Sequence, residues 1–196
     1  EAFSLPVVAE TYDGLLNDIN GFHVRPEHVA TAQQAATSGP VAEGAVGGGT
    51  GMICHEFKGG SGTASRRLSA AQGGWTVGEW PHPGMGSIVV CLATDAPLLA
   101  HQCTRLAQRA SIGIARTGGG TEDSSGDIFI AFATGNDALQ AADYAHKGAC
   151  SSSVQMVNND HLSELFLAAA EAVEEAIINA LLAATETQGN GHLAKA

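Results

Sequence analysis

The chain alternates between apolar runs and polar, glycine-rich breaks, and the runs come in two lengths. Short continuous runs predict buried strands. Leu5 to Ala9 is one, Ser87 to Thr94 is apolar on both faces, and Ile128 to Thr134 is a third. Longer stretches repeat at helical spacing. Pro26 can open a helix with Val29, Ala32 and Ala36 on one face and Gly39-Pro40 at its end. Asp95-Ala96-Pro97 offers an N-cap and an early proline for a helix bearing Leu98, Leu99, Cys103, Leu106, Ala107 and Ala110. From about His161 to Thr187, Leu162, Leu165, Phe166, Ala169, Val173, Ala176, Ile177 and Ala180 form a core-facing stripe, and Gly189 is the expected C-cap.

The breaks are equally informative. Tyr12-Asp13-Gly14 and residues 17–21 read as turns. Residues 41–65 hold the densest glycine. They lack the Gly-Lys pair of a P-loop and the last glycine of a dinucleotide fingerprint, so packing and tight turns account for them better than nucleotide binding. Trp75 to Gly78 starts a strand that Glu79-Trp80-Pro81-His82-Pro83-Gly84 should cut short, because two prolines oppose a central strand. We expect a surface linker there. Residues 116–126 read as a polar loop. Strands interleaved with helices predict helices layered outside sheet.

Composition narrows the function. A net charge of −11 argues against nucleic acid and against anionic membrane surfaces. No apolar run is long enough to span a bilayer. Cys54, Cys91, Cys103 and Cys150 form no Cys-x-x-Cys pair and read as reduced, apolar thiols, which favours a cytoplasmic setting. The start lacks Met and lies almost within a strand. We therefore expect a trimmed or incomplete N-terminus, which leaves a periplasmic setting open. At 196 residues the chain suits a single domain.

Candidate chemistry gathers at three strand ends: Glu10 with Tyr12, Ser87 after Gly86, and Ser125-Gly126-Asp127. A serine hydroxyl needs a base. None of the eight histidines is nominated by a motif, and no Gly-x-Ser-x-Gly elbow occurs. Cleavage of the Gly86–Ser87 bond would free an α-amine, of reference pKa about 7.7–8.0, beside the hydroxyl it must deprotonate. His55-Glu56 lacks the second histidine of a zinc-protease motif, so no metal and no other cofactor is expected.

Longer motifs add to this reading. Val-Val-Ala-Glu-Thr-Tyr-Asp-Gly (7–14), Leu-Asn-Asp-Ile (16–19), Gly-Gly-Gly-Thr-Gly-Met (47–52), Phe-Lys-Gly-Gly-Ser-Gly-Thr-Ala-Ser-Arg (57–66), Gly-Ser-Ile-Val-Val (86–90), Ala-Thr-Asp-Ala-Pro-Leu-Leu (93–99), Arg-Leu-Ala-Gln-Arg-Ala (105–110), Ala-Arg-Thr-Gly (115–118) and Glu-Glu-Ala-Ile-Ile-Asn-Ala-Leu (174–181) resemble the DmpA-type aminopeptidases. These are the self-cleaving L-aminopeptidase/D-esterase and β-aminopeptidase family.

The resemblance implies an α+β fold, a four-layer αββα sandwich, and autoproteolysis into 1–86 and 87–196. It implies an N-terminal Ser87 that forms an acyl-enzyme, with Ser125 and Asp127 supporting it. Tyr12 would stand near the acyl intermediate, and Glu10 would hold the ammonium of a small peptide, amide or ester. It also implies a homo-oligomer, a tetramer of processed protomers.

The chain departs from the family in lacking a long N-terminal portion. After Thr76-Val77-Gly78 it also lacks the strand bearing an oxyanion-hole Asn, to which no residue here can be assigned. We expect that segments are missing. The competing readings are a same-fold acyltransferase, which would use threonine as nucleophile, and an inactive oligomeric binding protein.

Overall fold

The computed structural model describes residues 6–83, 87–121, 123, 126–139, 145 and 151–196. Its centre is a four-stranded sheet in the order β3-β4-β5-β6: β3 (Ala64–Arg67), β4 (Thr76–Pro83), β5 (Ile88–Thr94) and β6 (Asp127–Ala133). β3, β4 and β5 pair antiparallel, and β5 pairs parallel with β6. A parallel neighbour needs a crossover. Here α2 (Ala100–Ala107) and α3 (Ala110–Arg116) supply it.

The expected linker at 79–84 is corrected in part: β4 runs on to Pro83, paired with β5 throughout. The physical reason lies in β3, which ends where Ala64 meets Glu79. Beyond that point β4 is an edge, and an edge leaves room for prolines that lack an N–H. Two helix boundaries also differ from expectation. The stripe from Leu98 to Ala110 breaks after Ala107, giving α2 and α3. Asp95 does not cap α2; its Oδ1 accepts from the Thr76 N–H at 2.6 Å, tying β4 to the end of β5.

Strand alternation sorts the sheet's two faces. Ile88, Val90, Leu92 and Thr94 of β5, with Val77 of β4, are buried, and Phe129, Ala131 and Ala133 of β6 pack against the same core. Helix α4 (Ser163–Leu182) covers that face, burying Leu165, Ala169, Val173, Ala176 and Ile177. Gly62 and Gly113 let neighbouring backbone approach it: a Cβ on Gly62 would lie 1.9 Å from the Ala176 carbonyl oxygen, and one on Gly113 would lie 2.6 Å from that of Ala170. The opposite face carries Val89, Cys91, Ala93, Ile128 and Phe132, the last two 47% and 48% exposed. The 128–134 run was expected to be a buried strand; β6 packs one face on the core and leaves Ile128 and Phe132 of the other exposed.

The remaining elements are small. A hairpin of β1 (Ile53–Cys54) and β2 (Phe57–Lys58) lies near the C-terminal hairpin of β7 (Thr187–Gly189) and β8 (His192–Ala194). Gly189 therefore sits in a strand rather than capping α4, and Leu16 packs onto it. Helix α1 (Pro26–Ala35) forms as expected but buries no residue. Residues 6–9 of the expected first strand are exposed and outside any strand; Leu5 lies outside the described residues. Cys54 is a buried free thiol, its pKa pushed up to about 12 by desolvation, and Cys150 lies outside the described residues. Among the described residues, no helix is long and apolar enough to cross a membrane.

Candidate active site

Ser87 stands immediately before β5, and the parallel register sets Ile88 beside Asp127. The first residues of two adjacent strands thus meet at one end of the sheet. The backbone N–H of Gly126 donates to Ser87 Oγ at 3.1 Å. A donor on the oxygen leaves the hydroxyl proton free for a base and favours negative charge on that oxygen. Ser87 is half-buried and Asp127 exposed. Gly86 and Ser125 lie outside the described residues. Of the sequence-derived candidates, Ser87 and Asp127 are thus brought to one place. Gly126, between two of them, was not singled out, and only tertiary structure reveals its N–H.

Glu10 and Tyr12 sit on a separate segment. Among the described residues, neither makes a hydrogen bond to Ser87. The Tyr12 side chain is exposed and folds over Gly14, where a Cβ would lie 2.7 Å from the ring. The segment is anchored at several points. Thr11 Oγ1 lies 3.0 Å from the buried Met52 sulfur, the Asn17 amide donates to the Asp13 carboxylate, and Asn190 Nδ2 donates to the Gly14 carbonyl at 3.2 Å. Glu10 faces a cleft of about 550 Å³ shared with Asp13, Asp18, Phe22 and His23. Acidic groups around such a space suit a cationic ligand group.

Two buried ionisable groups lie in the surrounding framework. Lys58 is fully buried, and its ammonium donates to the Gly49 and Gly59 carbonyls at 3.1 and 2.6 Å. Burial lowers its pKa. It holds the glycine-rich stretch by direct bonds, which gives that stretch the packing role expected of it. Glu79 on β4 faces the core beside Leu92 with neither carboxylate oxygen hydrogen-bonded, and desolvation raises its pKa well above the usual range. The Cys91 thiol, on the neighbouring strand, is raised by burial and then by the Glu79 charge.

A cleft larger than the one beside Glu10 lies elsewhere. It encloses about 820 Å³ between Trp75, Pro97, Met156 and His161, toward the far end of β5 from Ser87. We place the candidate chemistry at Ser87 because its hydroxyl, a main-chain donor and Asp127 of the next strand come together there. Among the described residues, no group of three or more His, Cys, Asp or Glu side chains is placed to hold a metal.

Known structures resemble this arrangement closely. The L-aminopeptidase D-Ala-esterase/amidase of Ochrobactrum anthropi, described as a variant of the Ntn hydrolase fold, matches with a TM-score of 0.87 and 43% identity, over 100% of this chain and 61% of that one. A Burkholderia sp. β-aminopeptidase matches with a TM-score of 0.91 and 62% identity, over 95% of this chain and 59% of that one. The fold is therefore that of the Ntn hydrolases, and the α+β expectation holds. The model of Peptidase family S58 matches residues 1–80 and 79–194. The β-peptidyl aminopeptidase BapA of Sphingosinicella microcystinivorans is 45% identical over 97% of this chain and 58% of its own length.

The chain belongs to Peptidase family S58. It spans about three fifths of the length of the curated relatives it matches. The alignment to that BapA covers 234 residues, more than the 196 here, so the relative carries residues opposite gaps in this chain. The two family matches meet at Glu79-Trp80, on the strand where the expected oxyanion Asn has no counterpart.

Proposed function

We propose that the protein is an N-terminal-nucleophile serine aminopeptidase or amidase, released by self-cleavage between Gly86 and Ser87 into 1–86 and 87–196. The observation that carries this reading is the Gly126 N–H on Ser87 Oγ at the start of β5. After cleavage the Ser87 α-amine takes the hydroxyl proton. Oγ attacks the substrate's amide carbonyl carbon, the C–N bond breaks, and the proton passes to the departing amine. Water then hydrolyses the Ser87 ester by the same base. Asp127, with Ser125, holds the amine. Glu10 binds the substrate's ammonium by charge-assisted hydrogen bonds, and Tyr12 flanks the acyl group. Substrates are small peptides, amides or esters with a free amino terminus, and the processed protomers assemble as a homo-oligomer, a tetramer.

Intact mass under denaturing conditions tests the reading. Two pieces, one starting at Ser87, are expected, with one uncut chain for Ser87→Ala. A wild-type chain that stays whole for days at neutral pH overturns it. The non-catalytic alternative rests on the exposed Glu10–Tyr12 segment and the absent Asn-bearing strand. It predicts that uncut outcome, with no release of p-nitroaniline from β-alanyl or L-alanyl p-nitroanilide.

A further inference from the structure

The helix layer holds a concentration of positive charge that the proposed chemistry does not use. A cleft of about 280 Å³ opens between α3 and the first turns of α4, lined by Arg109, Ile112, Arg116, Ser163, Phe166 and Leu167. The Phe166 ring carries two guanidinium groups: Arg109 Cζ lies 4.4 Å and Arg105 Cζ 5.1 Å from its centroid. Cation–π contact holds such groups against the ring. Two like charges on one ring also repel, and a nearby anion relieves that repulsion.

Among the described residues, no acid supplies it to Arg105 or Arg109. Arg116 pairs with Glu174 at 3.1 Å, and Arg105 reaches the neutral Asn159 Oδ1 at 3.5 Å. Among the described residues, no carboxylate pairs with Arg105 or Arg109. Arg109 Nε is buried without a hydrogen-bond acceptor. With Nε sealed from solvent, a ligand entering the cleft meets the half-buried Arg109 side chain through its terminal guanidinium nitrogens. The chain has nine Lys and Arg against 20 Asp and Glu, so collecting Arg105, Arg109 and Arg116 here goes against its overall charge. Ser163 adds its hydroxyl, and its N–H lies in the first turn of a 20-residue helix, where N–H groups lack partners within the helix.

The opposite wall is apolar and open: Ile112 is 42% and Leu167 46% exposed. We propose that this cleft binds a monocarboxylate with a short apolar tail. The carboxylate lies on the Arg109 guanidinium with Arg105 adding charge, and the tail covers Ile112 and Leu167. Bare phosphate fits less well. It covers no apolar wall, and its second charge meets Glu174 beside Arg116.

The test titrates hexanoate into the purified full chain and follows the Arg109 Nε–Hε resonance by heteronuclear NMR, with hexanol and inorganic phosphate as comparison probes. The expected result is a saturable shift with hexanoate in the millimolar range, on the order of 4 kcal/mol of binding, and weaker binding of both other probes. Arg109→Gln, read on the backbone amides of Phe166 and Leu167, should weaken hexanoate at least about ten-fold, as for a lost charge-assisted pair. Leu167→Ser changes an exposed side chain and should weaken hexanoate about three-fold or more while leaving phosphate unchanged. The proposal is overturned by no saturable shift, by hexanol binding as well as hexanoate, by phosphate binding as tightly, or by Leu167→Ser leaving hexanoate affinity unchanged.

Discussion

The backbone N–H of Gly126 points at Ser87 Oγ from 3.1 Å across a parallel strand pair, so the hydrogen bond on the proposed nucleophile is set by strand register. Gly126 has open space where a Cβ would go. Gly126→Ala should therefore keep self-cleavage and turnover within about two-fold. Gly126→Pro removes the donor and should slow both by about 10–100-fold, the cost of a lost hydrogen bond to a charged oxygen. Cleavage half-life on denaturing gels and kcat on a p-nitroanilide measure the pair.

Asp127→Asn tests the acid. With the carboxylate gone, kcat should fall by about 10²-fold or more, within the range of acid–base assistance, and KM should move little. The pH–rate profile should shift, because a charge beside the proposed Ser87 amine is removed.

Glu10→Gln separates binding from chemistry. Losing a charge-assisted bond of about 1.5–3 kcal/mol should raise KM by about 10–100-fold for substrates with a free amino terminus, with kcat nearly constant. A fall in kcat at constant KM would place Glu10 in the chemical step instead.

Glu79 predicts a pH dependence of stability. Its folded pKa is raised by burial, so at low pH both folded and unfolded states hold the proton and no penalty arises. As pH rises through the ordinary carboxylate value, about 4.3, the unfolded state ionises first. Stability then falls by up to about 1.4 kcal/mol per pH unit until the folded group ionises as well. Glu79→Gln should flatten that part of a urea-denaturation profile. Glu79→Leu should stabilise at pH 7 by about 1–3 kcal/mol, the cost of unpaired buried polar atoms.

Gly62→Ala tests the closest approach to α4. Its Cβ would meet the Ala176 carbonyl at 1.9 Å, a backbone atom that cannot swing away. A loss of about 1–3 kcal/mol or more is expected from overpacking, read as a lower urea midpoint.

Strands β5 and β6 were legible because 88–94 and 128–134 are continuous apolar runs between polar breaks, and the 163–182 stripe is long enough to be unambiguous. The α2–α3 break was not legible, since Ala107 and Ala110 continue the same apolar pattern across it. Asp95 looks like a cap, yet its carboxylate is taken by the Thr76 N–H on another strand. Pro81 and Pro83 misled because whether a strand lies at an edge depends on where its neighbour ends, which one strand's residues do not reveal. At the site, Ser87 and Asp127 were legible through extended motifs. The Gly126 donor is main-chain and has no residue signature.

β4 and β5 form a seven-pair antiparallel ladder on either side of the proposed scission point. Cutting before Ser87 would sever the covalent link while leaving these strands laced together. The native fold would persist, but the route back to it would change. Once denatured, the two pieces would have to find each other by diffusion, and renaturation would become second order in protein. Such a molecule would fold as one polymer and thereafter live as a heterodimer, with its maturation written into its topology as an irreversible step.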